Sequence, residues 1–145
     1  MRYKKVIFLD IDGVLNGRST NMRILDHKAI ALLKKLVEKY KAVIIITSVW
    51  RKFDWPQRIL RAFLKAGWEN PPIIDRTPVL LSIRGKEIQS WLSQNQVESF
   101  VIIDDDSDML PEQLNNFVKC DTRFGLTKKQ VKMIDKIFSQ NKKSP

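Results

Sequence analysis

Hydrophobic positions along this chain alternate between two patterns. Runs at 5–10, 42–47 and 99–104 are almost continuous in apolar and β-branched residues. Strands buried on both faces of a parallel sheet read this way. Shorter runs at 72–75 and 117–120 predict two more strands. Between the runs, apolar residues recur at helical spacing. Asp26 can cap a helix that turns Ile30, Leu33, Val37 and Tyr40 inward. Pro56 suits the first turn of a second helix, with Ile59, Leu60, Phe63 and Leu64 inward and Gly67 ending it. A third helix spans 86–94 on Ile88, Trp91 and Leu92. Thr127 to Gln130 has the spacing of a capping box and opens a last helix on Val131, Ile134, Ile137 and Phe138. The order β-α-β-α-β-α-β-turn-β-α predicts a three-layer α/β/α sandwich around a mostly parallel five-stranded central sheet. One domain over 1–140 and a flexible polar tail at 141–145 are expected.

Ligands of such sheets bind beyond the carboxyl ends of the strands. Polar chemistry gathers at those ends here. Asp10-Ile11-Asp12-Gly13 closes the first apolar run and Asp104-Asp105-Asp106-Ser107-Asp108 closes the run at 99–104. Thr47-Ser48 closes the run between them. The two clusters hold six of sixteen acidic residues in a chain of net charge +10. Carboxylates crowded at buried strand ends repel one another and lose hydration, so something must neutralise them. A hard divalent cation such as Mg²⁺ is the usual partner of clustered carboxylates. A carboxylate beside such a metal can attack phosphorus, and a second can shuttle protons. Gly13 permits a turn that would separate Asp10 from Asp12 around one reacting centre.

The run Val6-Ile7-Phe8-Leu9-Asp10-Ile11-Asp12-Gly13-Val14-Leu15 resembles the first motif of the haloacid dehalogenase (HAD) superfamily of phosphotransferases. The resemblance implies a HAD-like Rossmannoid fold, with Asp10 as nucleophile and Asp12 as general acid and base. It further implies that Asp12 reaches Mg²⁺ through its backbone carbonyl. The family's second motif, a hydroxyl at the end of the next strand, matches Thr47, with Ser48 as helper. Arg51 follows within a turn and could add a guanidinium to a bound anion. The third motif is a cation near the start of a helix. It matches Arg84, preferred for its fork of donors, or Lys86. The fourth motif matches Asp104 and Asp105 as a pair, and Asp108 as an acid recurring four residues on. These imply a metal set of Asp10, Asp12, Asp104, Asp105 and Asp108, while Asp106 and Ser107 more naturally cap a turn.

A closer likeness spans most of the chain. The segments Asp10 to Asn16, Thr47 to Arg51, Arg84 to Leu92, Ile103 to Met109 and Thr122 to Thr127 are together similar to the phosphatase-like domains of "Swiss army knife" RNA repair proteins. Neither 16–25 nor 49–83 leaves room for a separate cap domain. An open site suits a phosphate at the end of a large molecule. Twenty-six Lys and Arg, many of them late in the chain (Lys128, Lys129, Lys132, Lys136, Lys142, Lys143), turn that expectation toward nucleic acid. Trp50, Phe53 and Trp55 follow Thr47-Ser48 and either stack on a base or pack beneath the loop.

The expectation is a Mg²⁺-dependent phosphohydrolase that removes terminal phosphate from a nucleic acid through an aspartyl-phosphate. A nucleotidase acting on mononucleotides is the alternative enzyme. A phospho-accepting receiver domain would carry its key Asp after a middle strand, where this chain has Thr47-Ser48. A silent nucleic-acid-binding domain would be marked by loss of Asp10 or Asp12. Cys120 is the only cysteine, which excludes an intramolecular disulfide. No apolar run approaches the roughly 20 residues that span a bilayer, and no apolar leader precedes the first strand. A cytoplasmic protein without a membrane partner is expected.

Overall fold

A computed structural model of the chain describes residues 2–17 and 24–140. The tail at 141–145 and part of the 16–25 loop lie outside the described residues. Five parallel strands form one sheet in the order β3-β2-β1-β4-β5. They are β1 (Arg2–Leu9), β2 (Val43–Ile46), β3 (Ile73–Arg76), β4 (Gln96–Asp104) and β5 (Phe117–Lys119). The helices are α1 (His27–Tyr40), α2 (Gln57–Lys65), α3 (Arg84–Ser93) and α4 (Lys128–Gln140). Two short 3-10 turns, Val49–Lys52 and Pro111–Asn116, complete the order. The α/β sandwich expected from the sequence is the one observed, and no separate cap domain occurs among the described residues.

Alternation along the central strands sends side chains into two apolar layers. Ile7, Leu9, Ile44, Ile46, Val101 and Ile103 pack with Leu33 and Val37 of α1, Phe63 of α2 and Phe138 of α4. Val6, Phe8, Ile45 and Ile102 face Ile88 and Trp91 of α3, closed by Met109. Burial on both faces explains why these strands read as continuous apolar runs. The Asp26 carboxylate caps α1 by accepting from the Lys28 amide at 3.0 Å. Gln130 reaches back to the Thr127 amide at 2.9 Å, as the capping-box spacing suggested.

Three boundaries differ from the sequence pattern. β1 starts at Arg2 and β4 at Gln96, because Arg2 pairs with Gln96 and Tyr3 with Val97. That end of the sheet is partly exposed, so its polar residues hide the strand. α3 starts at Arg84, two residues early, because its cap comes from elsewhere: Asp108 Oδ2 accepts from the Arg84 amide at 3.0 Å. In α2 only Ile59 and Phe63 are buried, while Leu60 is half-buried and Leu64 exposed. This helix presents a narrower stripe than its sequence offered. Among the described residues no helix is long and apolar enough to cross a membrane.

The chain steps outward from β1 through β2 to β3, then returns to the other side of β1 for β4 and β5. The reversal opens a crevice beyond the carboxyl ends of β1 and β4. Asp10 and Asp104 stand on its two sides.

Candidate active site

The Asp10 amide donates to the Ile103 carbonyl at 3.0 Å, so β1 stays paired until its acid. A tight turn follows, with Ile11 O accepting from Leu15 N at 2.8 Å. Gly13 has φ +80 inside this turn, and a Cβ there would lie 2.1 Å from Asp105 Oδ2. Only glycine lets the loop after β1 close against the loop after β4.

The turn sends the two motif carboxylates to different partners. Asp10, Asp104 and Asp105 each bring one oxygen within 4.8 Å of the others. Asp12 turns aside. Its Oδ1 accepts from Asn16 Nδ2 at 3.0 Å and from the Trp50 indole N–H at 3.0 Å. Asn16 Oδ1 in turn accepts from the Gly13 amide at 2.9 Å, which braces the turn. Of the readings open to the aromatic cluster, Trp50 therefore packs under the loop, buried, with the Arg58 guanidinium 4.3 Å over its ring. Phe53 is exposed, and Trp55 lies partly buried against the core.

Thr47 ends β2 with its amide donating to Leu9 O at 2.9 Å. Its Oγ1 is buried without a protein partner. Ser48 is also buried, but its Oγ accepts from the Trp50 amide at 3.2 Å and caps the first 3-10 turn. Arg84 opens α3 beside the acids. Its Nη1 donates to the Thr47 carbonyl and lies 3.7 Å from Asp10 Oδ1 and 4.0 Å from Asp104 Oδ2. Lys86 is exposed and makes no hydrogen bond or ion pair with these carboxylates.

Arg51 does not face the cleft. It is 2% exposed, and its donors reach Thr77 O (2.9 Å), Thr47 O (2.6 Å), Ser48 O (2.8 Å), Pro78 O (3.3 Å) and Glu87 Oε1 (2.9 Å). Those five bonds take up every N–H of a guanidinium. The substrate contact expected of Arg51 is therefore geometrically closed, because the side chain is already the strut beneath the site.

In the fourth motif, Asp104 Oδ1 accepts from the Asp106 amide at 3.0 Å and Asp105 Oδ2 from the Thr122 hydroxyl at 2.8 Å. Asp108 combines two placements: Oδ2 caps α3, while Oδ1 is buried without a partner. Asp106 holds the turn by accepting from the Ser107 amide at 2.7 Å. The cleft has a volume of about 230 Å³, lined by Asp10, Asp12, Val49, Arg84 and Asp104, Asp105, Asp106 and Asp108.

Burial, reinforced by repulsion from Asp104 and Asp105 and opposed by Arg84, pushes the Asp10 carboxyl up to about 9. Burial likewise raises Asp104 to about 6, against the Asp106 amide and Arg84. Two carboxylates held off ionisation chiefly by burial, a third beside them, and orphaned oxygens at Thr47 and Asp108 fit a site made for a cation and an oxyanion.

The sequence passed over three contributors. Asn16 and Trp50 fix Asp12. Glu87 is buried between Arg51 and the Arg84 Nε at 3.6 Å, with its Oε2 accepting from the Leu80 amide at 3.0 Å. Glu87 stood inside a recognised segment, but nothing local marks it as a counter-ion to two arginines.

A parallel sheet that gathers acids, a buried hydroxyl and an arginine at the crevice beside its first strand is the layout of a HAD-type phosphohydrolase. The chain belongs to the family described as the HAD domain in Swiss Army Knife RNA repair proteins, whose family model matches residues 6–131. No curated protein sequence matches it significantly.

Proposed function

We propose that residues 1–140 form a single Mg²⁺-dependent phosphomonoesterase domain that removes a terminal phosphate from a nucleic acid. The observation that carries the chemistry is the division of labour between Asp10 and Asp12. Asp10 shares its corner with Asp104 and Asp105, and Asp12 is held apart by Asn16 and Trp50. Asp10, Asp104 and Asp105 would hold Mg²⁺, with the Asp12 carbonyl and Asp108 completing the set; when bound, the ion supplies positive charge to the phosphoryl oxygens.

The chain's own residues carry the steps. Asp10 attacks phosphorus in line; the bond from phosphorus to the leaving oxygen breaks, and Asp12 gives that oxygen a proton. Both bonds to Asp12 fall on Oδ1, which leaves Oδ2 to carry the proton. Asp12 then takes a proton from water as the water attacks the aspartyl-phosphate, and the bond to Asp10 breaks to release phosphate. Thr47 Oγ1 and Arg84 bind phosphoryl oxygens and offset their charge. The excess of Lys and Arg and the open cleft support a polyanionic substrate.

Phosphate release from 3′-phosphorylated, 5′-phosphorylated and mononucleotide substrates, with Mg²⁺ present, tests the reading. Preference for a polynucleotide end is expected. Preference for mononucleotides would leave the chemistry and overturn the substrate. Asp10→Asn should fold and lose turnover; measurable turnover in that variant would overturn the nucleophile.

A further inference from the structure

We propose that a groove between β5 and α4 binds the sugar-phosphate chain of a single-stranded nucleic acid leading away from the reacting phosphate. This rests on the phosphatase reading and adds where the rest of the substrate lies. The groove has a volume of about 530 Å³ and is lined by Asp105, Lys119, Cys120, Asp121, Thr122, Lys129, Gln130 and Met133. Asp105 also lines the acidic cleft, so the two spaces meet at one carboxylate. Lys119 is the register partner of Asp104, at the same carboxyl edge of the sheet. Lys129 stands across from it in the first turn of α4. Gln130 Nε2 donates to the Lys119 carbonyl at 3.3 Å and ties the two walls together.

Neither lysine has an ion-pair partner among the described residues, and both are exposed. The neighbouring acids are already engaged. Asp121 is paired with Arg123 at 2.9 Å, and Asp105 accepts from Thr122 and faces the cation corner. Met133 is partly exposed on the same floor and offers apolar contact. Two uncompensated ammonium groups beside a flexible apolar side chain suit alternating phosphates and bases. The polar side chains of the lining, Asp121, Thr122 and Gln130, already carry bonds within the protein, so binding should be indifferent to sequence.

The test uses the double variant Lys119→Ala/Lys129→Ala. With p-nitrophenyl phosphate its kcat/KM should match the unaltered protein. With a terminally phosphorylated oligonucleotide it should fall about tenfold, and the slope of log kcat/KM against log salt should flatten by about 1.4, two contacts at roughly 0.7 each. Equal loss on both substrates, no loss on either, or a loss confined to a phosphopeptide would overturn the groove. Anisotropy of a labelled oligonucleotide with Asp10→Asn protein, with and without the lysine changes, reads the groove without turnover. Unchanged affinity there overturns the groove alone. An unaltered protein inactive on every phosphoester, with lysine-dependent binding intact, overturns the catalytic reading alone.

Discussion

Asp10 and Asp12 are separated by one residue yet live in different surroundings. Gly13 and the turn behind it make the separation, and the sequence displayed both. What it did not display was how Asp12 is aimed. Trp50 is 38 positions away, and its indole N–H meets Asp12 only because β2 runs beside β1. Trp50→Phe keeps an aromatic ring, though a smaller one, and deletes the donor. Hydrogen bonds to charged groups are worth about 1.5–3 kcal/mol, so kcat should fall roughly ten- to hundredfold if the bond matters mainly in the transition state. KM should change little. A loss of stability equal to the loss of activity would instead mark Trp50 as core packing. Cys120 is a contrasting residue. Burial, with repulsion from Asp105 and Asp104, pushes its thiol up to about 12. It should resist alkylation at neutral pH in the native protein and react fully once unfolded.

At the scale of elements, strands and helices were legible wherever one stretch of chain supplies its own burial and caps. Asp26 and α1 are such a case, as are the runs ending in Leu9, Ile46 and Ile103. The start of α3 was not legible because Asp108, at another strand end, caps it. The fate of Arg51 was hidden for the same reason. A basic residue one turn beyond a phosphate-binding hydroxyl looks like an anion ligand. Its role is decided by Thr77 and Pro78, in the loop after β3, and by Glu87 of α3. Arg51→Met should therefore destabilise by about 3 kcal/mol, the low end of the cost of breaking a buried ion pair, because Arg84 Nε stays 3.6 Å from Glu87. Combining it with Glu87→Leu should recover part of that loss, since the pair's desolvation goes with both charges. Urea unfolding midpoints measure both. A single Arg51→Met effect below 1 kcal/mol would mean that solvent reaches Glu87.

For the whole molecule, the acidic corner sets how stability depends on pH and on the metal. Asp10 keeps its proton in the folded state up to about 9, whereas an ordinary aspartate gives it up near 3.8. Asp104 adds the same sense up to about 6. Between those limits the folded chain binds more protons than the unfolded one, so stability falls as pH rises. The favourable contribution is complete below about pH 4, and most of it has gone by pH 9. A divalent cation binding the ionised acids reverses this, adding about 2.7 kcal/mol at a hundredfold excess over Kd. Thermal unfolding in chelator should therefore show Tm dropping from pH 5 to pH 8, and Mg²⁺ should raise Tm more at pH 8 than at pH 5. Asp10→Asn separates this from a general effect of the +10 charge. It removes the largest shifted carboxylate, so its Tm in chelator should depend less on pH and respond less to Mg²⁺. A Tm that rises with pH in chelator, or a Mg²⁺ response identical in Asp10→Asn, would mean that the three carboxylates do not act as one cation site.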